Sequence, residues 1–141
     1  MHRHLPDVRK TVNRHSSISV VPILVCFIII RRLIVIGHIV KVTVDRPLGS
    51  FHPVHKDLYY PINYGYIEGI LAPDGEAQDA YILGVNKPVD TFTGIVIAII
   101  HRFDDVEEKW VVAPQNVSFT KAEIMQQVAF QEKYFRTEIR M

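Results

Sequence analysis

Residues 60–85, YPINYGYIEGILAPDGEAQDAYILGV, carry the strongest structural signal in this chain of 141 residues. The segments 64–70 and 80–85 are rich in aromatic and β-branched side chains, which predicts two strands. The Pro-Asp-Gly sequence at 73–75 lies between them and predicts a turn. We therefore expect two consecutive strands joined by an acidic turn.

Three further strands are predicted on either side of this stretch. Residues 40–44 alternate valine with polar side chains, as in a half-buried strand. Residues 94–103 hold an almost continuous apolar run, typical of a strand buried on both faces, and 109–113 follow the turn at Asp104 and Asp105. Five short strands favour a small closed barrel, because closure leaves no unpaired edge. We expect a mainly β (α+β) domain built on a closed five-stranded OB-like barrel.

One helix is predicted near the carboxyl end and is expected to pack on the barrel. Thr120 and Glu123 have the spacing of a capping box, which marks a helix start. Apolar side chains then recur at helical spacing and predict one buried helical face: Ile124, Val128, Phe135 and Ile139.

The charge of the chain is divided between a basic amino-terminal segment and an acidic body. Residues 1–41 hold seven basic side chains and one acidic one, a net charge of +6, and residues 42–141 hold nine basic and fourteen acidic ones, a net charge of −5. An acidic body repels nucleic acid and favours cation binding, so we expect no nucleic-acid partner. Cys26 is the only cysteine, which excludes an intrachain disulfide.

The amino-terminal segment is apolar as well as basic. Residues 18–30 are almost wholly apolar, but Arg31 and Arg32 interrupt the run before it reaches the roughly 20 residues of a membrane-spanning helix. Three interpretations remain open: a poorly ordered extension, a membrane-interacting segment, or a helix packed on the body or on a partner. We predict an extension over 1–35 and a barrel domain over 36–141.

The first candidate site lies in the acidic turn, where Asp74, Glu76 and Asp79 are close in sequence. Neighbouring carboxylates repel one another unless cations lie among them. Magnesium prefers such oxygen ligands. Taken alone, the cluster is more typical of a solvated acidic loop than of a metal site.

A second acidic turn precedes the last predicted strand. It holds Asp104, Asp105, Glu107 and Glu108, and Lys109 follows directly. Alone it is typical of an ordinary charged hairpin. If the barrel brings the two turns together, their mutual repulsion becomes the electrostatic signature of a site for several metal ions.

The tyrosine-rich stretch 60–66, Tyr-Pro-Ile-Asn-Tyr-Gly-Tyr, is consistent with barrel packing, and its phenols can also donate to phosphate oxygens. Together with Asp-Gly-Glu-Ala-Gln-Asp at 74–79, it resembles the soluble inorganic pyrophosphatases of the metal-dependent β-barrel type (family I). The resemblance extends through the second acidic turn and Lys-Trp-Val-Val-Ala-Pro at 109–114 to Phe-Gln-Glu-Lys-Tyr at 130–134. It covers roughly residues 36–139 and leaves the amino-terminal segment unaccounted for.

The resemblance implies hydrolysis of inorganic pyrophosphate to two phosphates by a metal-activated water, with Mg²⁺ as cofactor and Mn²⁺ as an alternative. It implies that Glu76 accepts a proton from the water, that Asp79 bridges two ions, and that Tyr64 lies beside this bridging acid. The metal ligands that it implies lie on both acidic turns: Asp74, Asp79, Asp104, Asp105 and Glu107. The substrate-binding residues that it implies are basic or phenolic: Arg46, Lys56, Tyr60, Lys109 and Tyr134.

The chain departs from the family pattern at several positions. Glu76 and Glu107 stand where the family usually has aspartate, and Phe135 replaces a lysine. The stretch before the tyrosine motif is compressed, so the assignment of Arg46 and Lys56 to the upstream basic positions is ambiguous. The chain therefore looks like a shortened member of the family with weakened phosphate binding.

Two other functions remain open at this stage. One is a catalytically weakened module that binds metal and phosphate compounds without turnover. The other is an oligonucleotide-binding barrel whose tyrosines stack on bases, against which the net charge of −5 argues. For an enzyme of this family we expect a cytoplasmic location, pyrophosphate as substrate and association into a homo-oligomer.

Overall fold

The computed structural model describes residues 35–104 and 107–141. The described residues form six strands and one helix. In chain order these elements are β1 (Ile39–Arg46), β2 (Asn63–Leu71), β3 (Ala77–Ile82), β4 (Thr91–Arg102), β5 (Glu108–Ala113), α1 (Lys121–Glu132) and β6 (Thr137–Arg140).

The first five strands close into a barrel. Their order is β1-β2-β3-β5-β4, and β4 pairs with β1 to complete the ring. The β3–β5 pair is parallel and the other barrel pairs are antiparallel, so the barrel is mixed. The predicted mainly β fold, a closed five-stranded OB-like barrel with a carboxy-terminal helix, is confirmed.

The helix α1 begins as its sequence predicts. The Thr120 hydroxyl accepts from the Glu123 amide at 3.1 Å, and the Glu123 carboxylate accepts from the Thr120 amide at 2.8 Å. Ile124 and Val128 are fully buried against the barrel. The capping box therefore fixes the start of the helix, and the first half of the predicted apolar face packs as expected.

The predicted extension of this face to Phe135 and Ile139 is wrong. The helix ends at Glu132, and Ile139 lies on β6, which pairs antiparallel with β4 and places Ile139 opposite Ile100. Pairing with β4 satisfies the backbone of this segment and still buries Ile139, while Glu138 next to it is exposed. The apolar spacing of four residues is compatible with either a helix or a strand, and the available edge of β4 decides between them.

The core is divided into two clusters of buried side chains. One cluster lies under α1 and combines its apolar face with the rings of Tyr60, Tyr64 and Tyr81. The other fills the barrel with branched aliphatic side chains such as Ile82 and Val112. The three tyrosine rings therefore lie between the barrel and the helix, where their hydroxyl groups meet polar side chains of both.

Gly65 allows β1 and β2 to approach each other closely. A Cβ atom at this position would lie 1.9 Å from the Thr43 carbonyl oxygen and 2.8 Å from the Val44 Cα. No real side chain occupies such a space, so the glycine between Tyr64 and Tyr66 is required by the strand pairing.

The predicted amino-terminal extension over 1–35 lies outside the described residues except for Val35. Val35 and Ile36 pack against the cluster that fills the barrel. Within the part of the chain that the structure describes, no helix is long and apolar enough to cross a membrane.

Candidate functional site

The ammonium group of Lys109 is the centre of a buried polar cluster. Lys109 Nζ donates to Asp79 Oδ2 at 2.7 Å and to the Tyr64 hydroxyl at 2.9 Å. It also lies 2.8 Å from Glu107 Oε1. A lysine ammonium carries three hydrogens, so each has an oxygen neighbour. Lys109 thus joins the last acid of the first turn to an acid of the second turn.

Strand order explains why these side chains meet. The strand β3, which carries Asp79, lies between β2, which carries Tyr64, and β5, which carries Lys109. Asp79 is opposite Tyr66 in the β2–β3 register, and its neighbour Ala80 is opposite Trp110 in the β3–β5 register. Residues 30 positions apart in sequence are therefore neighbours in the barrel wall.

Burial and charge control the protonation of this cluster. Burial lowers the pKa of Lys109, but the Asp79 and Glu107 carboxylates together more than offset it, so the net pKa of Lys109 is raised. Burial, and secondly the Asp79 carboxylate, raise the pKa of Tyr64 well above its ordinary value. At neutral pH the ammonium is charged and the Tyr64 phenol keeps its proton, which it donates to Asp79 Oδ2 at 2.8 Å.

A second chain of hydrogen bonds runs from the end of β1 to α1. Arg46 Nη1 donates to the Tyr60 hydroxyl at 2.8 Å, and this hydroxyl donates to Gln131 Oε1 at 2.8 Å. Gln131 Nε2 donates to the Tyr81 hydroxyl at 2.7 Å, and Tyr81 donates to Glu132 Oε2 at 2.5 Å. These five side chains are all buried, so the polar groups between barrel and helix are satisfied by one another.

Arg46 also lies over two aromatic rings. Its guanidinium carbon is 5.7 Å from the centroid of the Tyr60 ring and 5.5 Å from that of Tyr64. The rings hold this guanidinium beside the Lys109 cluster by cation–π attraction. Lys109 Nζ lies 5.6 Å from the same Tyr64 centroid, so two cations lie near this ring.

Arg102 connects the cluster around Lys109 to the chain of hydrogen bonds that ends at Glu132. Its Nε and Nη2 atoms donate to the two carboxylate oxygens of Glu132 at 3.1 and 2.7 Å, and Nη1 lies 3.6 Å from Glu107 Oε1. Burial lowers the pKa of Arg102, but Glu132 more than offsets this, so the net pKa is raised and the guanidinium stays charged.

Sequence reasoning missed several members of this cluster, namely Tyr81, Arg102, Gln131 and Glu132. A signal for Glu132 was present, because it follows Ile124 and Val128 at helical spacing and so lies on the predicted buried face. A charged residue at such a position requires a buried partner. No comparable signal identified Arg102, whose bidentate partner Glu132 lies on a helix distant in sequence.

The other candidate residues lie at the edges of the fold. Asp74 and Glu76 lie in the turn between β2 and β3, where Asp74 Oδ1 accepts from the Glu76 amide at 2.9 Å. Asp104 is exposed and accepts from the Arg136 amide at 3.0 Å. Lys56 is exposed. Tyr134 is half-buried, and the ammonium of Lys133 lies 5.3 Å from its ring centroid. Asp105 lies outside the described residues.

The structure therefore brings together six of the candidates: Arg46, Tyr60, Tyr64, Asp79, Glu107 and Lys109. Among residues 35–104 and 107–141, no group of three or more His, Cys, Asp or Glu side chains is arranged to hold a metal ion. Two candidate ligands, Asp79 and Glu107, nevertheless converge on one cationic group. Their oxygens are of the type that magnesium prefers, and in this structure the Lys109 ammonium lies between them.

Comparison with solved structures gives matches to inorganic pyrophosphatases. The enzyme from Neisseria gonorrhoeae is 21% identical, with a TM-score of 0.53 over 70% of this chain and 74% of that chain. The enzyme from Ehrlichia chaffeensis is 17% identical, with a TM-score of 0.56 over 73% and 85%. That from Coxiella burnetii is 15% identical, with a TM-score of 0.55 over 74% and 84%. No family model and no curated protein sequence matches the chain. The resemblance read from the sequence is confirmed at the level of the fold.

Proposed function

We propose that this chain, which has the fold of the inorganic pyrophosphatases, hydrolyses inorganic pyrophosphate to two phosphates. The observation that supports the proposal most directly is the position of the Lys109 ammonium between Asp79 and Glu107, at 2.7 and 2.8 Å. Two acids from separate turns share one positive charge there. A buried pair of carboxylates held in this way is suited to a divalent cation, and the cations around it are suited to an anionic substrate.

The proposed cofactor is Mg²⁺, with Mn²⁺ as an alternative. Asp79 and Glu107 would hold it, and Asp74, Asp104 and Asp105 are the further ligands that the family resemblance implies. When bound, such an ion lowers the pKa of a coordinated water and neutralises phosphate oxygens. Glu76 is the proposed acceptor of the proton that this water loses.

Lys109 is proposed to change partners during binding. It donates to Asp79 and to the Tyr64 hydroxyl, and it forms an ion pair with Glu107. When the charge of Asp79 and Glu107 is neutralised, the ammonium is no longer held by them and can donate to a phosphate oxygen. The Tyr64 phenol, which carries no charge, can remain on Asp79 and keep this carboxylate oriented.

Arg46 and Tyr60 are proposed to bind the second phosphate group. The guanidinium is always charged and presents several N–H groups in a fixed plane, which matches the geometry of phosphate oxygens. Tyr60 orients it at 2.8 Å. Lys56 and Tyr134 are proposed as outer contacts, because one is exposed and the other half-buried. Clamping the two phosphates in this way would favour in-line attack on one phosphorus.

The direct test measures phosphate release from pyrophosphate by the full chain with Mg²⁺ or Mn²⁺. Asp79→Asn removes the charge at the centre of the cluster, so we expect its rate to fall by about 100-fold or more. Asp90→Asn is the matched control, since Asp90 is exposed at the start of β4, and its rate should equal that of the wild type. Absence of release by the wild type with either metal would refute the proposal.

The alternative is a module that binds metal and phosphate compounds without turnover. The observation in its favour is that Asp74 and Asp104 make turn contacts away from Lys109, to the Glu76 and Arg136 amides. Calorimetry with Mg²⁺ and methylene diphosphonate, a non-hydrolysable analogue, separates the two functions. Metal-dependent binding of the analogue without phosphate release from pyrophosphate would favour the module.

The remaining expectations for an enzyme of this kind are proposals as well. They are a cytoplasmic location, association into a homo-oligomer and no nucleic-acid partner. Membrane contact by the amino-terminal segment is the alternative that fractionation of the full chain would test.

A further inference from the structure

Arg102 lies outside the residues to which the family resemblance gives a role, although it touches the cluster around Lys109. It ends β4 directly before the second acidic turn and is 3% exposed. Its guanidinium carbon lies 3.7 Å from the centroid of the Phe135 ring. One face of the guanidinium is thus covered by an aromatic ring and its edge is bound by carboxylates.

We propose that Arg102 is a positioning residue that holds Glu107 towards Asp79 by anchoring the second acidic turn to α1. The proposal rests on the proposed function for its catalytic consequence. Its structural basis is the set of contacts to Glu132, Glu107 and Phe135, which come from three separate segments.

The geometry of Arg102 matches this role. The bidentate pair with Glu132, at 3.1 and 2.7 Å, fixes the plane of the guanidinium. The remaining Nη1 atom then lies 3.6 Å from Glu107 Oε1, within ion-pair distance. The amide of Arg102 also donates to the Glu107 carbonyl at 3.4 Å. The backbone of Arg102 is thus hydrogen-bonded to the backbone of Glu107, and the two side chains form an ion pair.

A role in stability alone does not explain why Arg102 contacts both Glu132 and Glu107. Buried ion pairs contribute little net stability, and apolar residues of similar volume often replace them without loss. Arg102 is placed between the helix acid Glu132 and the site acid Glu107. Its contact with Glu107 is the part that a stabilising pair with Glu132 alone would not need.

The test compares three variants of the full chain: Arg102→Met with Glu132→Gln, Glu132→Gln alone, and Arg102→Lys. The double variant removes one charge of each sign, so the net charge of the cluster is unchanged and no buried carboxylate loses its partner at position 132. Glu132→Gln keeps Arg102 but removes its bidentate partner, so it reports the contribution of the anchor to α1. Arg102→Lys keeps Glu132, so it reports the contribution of the guanidinium.

Two readouts are needed, kcat for phosphate release and the affinity for Mn²⁺ alone by calorimetry. We expect the double variant to have both a kcat and a Mn²⁺ affinity about tenfold or more below those of the wild type, and Glu132→Gln to lower both as well. Arg102→Lys keeps the charge but not the planar fork, so it should lie between wild type and double variant. This conservative variant also decides the question if the double variant fails to fold.

Equal kcat and Mn²⁺ affinity, within about twofold, in the double variant and in the wild type would overturn the role of Arg102. So would an Arg102→Lys variant that is indistinguishable from wild type. If the wild type binds Mn²⁺ but releases no phosphate, the proposed hydrolysis fails while the Mn²⁺ affinities still decide whether Arg102 positions Glu107.

Discussion

Tyr64 shows how a single side chain combines packing with chemistry. Its ring lies in the cluster under α1, while its hydroxyl donates to Asp79 and accepts from Lys109. Burial keeps the phenol protonated by raising its pKa. The neutral Tyr64 phenol can thus orient the Asp79 carboxylate without changing the charge of the site.

Tyr64→Phe should therefore weaken both stability and activity. The variant removes a hydrogen bond to a charged group, so we expect the free energy of unfolding to fall by about 1.5–3 kcal/mol. Because Asp79 loses its orienting donor, phosphate release should fall by about tenfold. Urea unfolding and a phosphate assay measure the two effects. Tyr66→Phe, on the same strand, is the control and should change neither; equal losses in both variants would contradict the assigned role of Tyr64.

At the scale of elements, the approach of β1 to β2 depends on Gly65. The adjacent strands could not keep their register with a larger residue there, since the added Cβ would overlap the Thr43 carbonyl oxygen. This pair of strands also carries Arg46 and Tyr64, which face each other across the β1–β2 register. The glycine of the tyrosine-rich motif therefore supports the candidate site indirectly, through strand spacing.

Gly65→Ala should destabilise the barrel by more than about 3 kcal/mol, because the clash is with main-chain atoms that cannot rotate away. Gly69→Ala on the same strand is the matched control. It must adopt a φ of +81° but meets no atom within 4 Å, so its cost should be about 1–2 kcal/mol. Denaturant midpoints measure both. A Gly65→Ala variant as stable as Gly69→Ala would contradict the close strand approach.

Most elements could be predicted because their signals are local. Alternating valines, apolar runs and the Thr120–Glu123 capping box each describe a few neighbouring residues. The end of α1 could not be predicted in the same way. Whether residues after Glu132 continue the helix or form a strand depends on the free edge of β4, which lies far away in sequence.

At the scale of the whole molecule, the buried polar cluster connects barrel, acidic turn and helix. It includes groups whose pKa the fold raises above the ordinary values, which are 10.0 for Tyr64 and Tyr81 and 10.5 for Lys109. For Tyr81, burial and then the Glu132 carboxylate cause the shift. At alkaline pH the unfolded chain therefore loses these protons before the folded protein does.

The free energy of unfolding should consequently fall as pH rises above about 10, because the folded state then binds more protons than the unfolded one. Below about pH 9 these groups are protonated in both states, so they should not make the free energy of unfolding depend on pH. Each group that has lost its proton only in the unfolded state lowers the free energy of unfolding by about 1.4 kcal/mol per pH unit. Urea unfolding at a series of alkaline pH values measures the slope.

The double variant Tyr64→Phe/Tyr81→Phe is the comparison for this pH dependence. It retains only the contribution of Lys109 among the three groups, so its slope above about pH 10 should be shallower by about 2.8 kcal/mol per pH unit. Identical slopes for the wild type and the double variant would show that the two phenols do not resist ionisation in the folded protein.

The sequence by itself determined the five barrel strands, the start of the helix, the division of charge and the position of the two acidic turns. These features follow from patterns of neighbouring residues, since backbone hydrogen bonding and burial periodicity act over short distances. Only the tertiary structure decided that Asp79 and Glu107 meet at Lys109, and that Arg102 pairs with Glu132. Such pairs depend on strand order and register, which result from the sum of many long-range contacts rather than from any one segment.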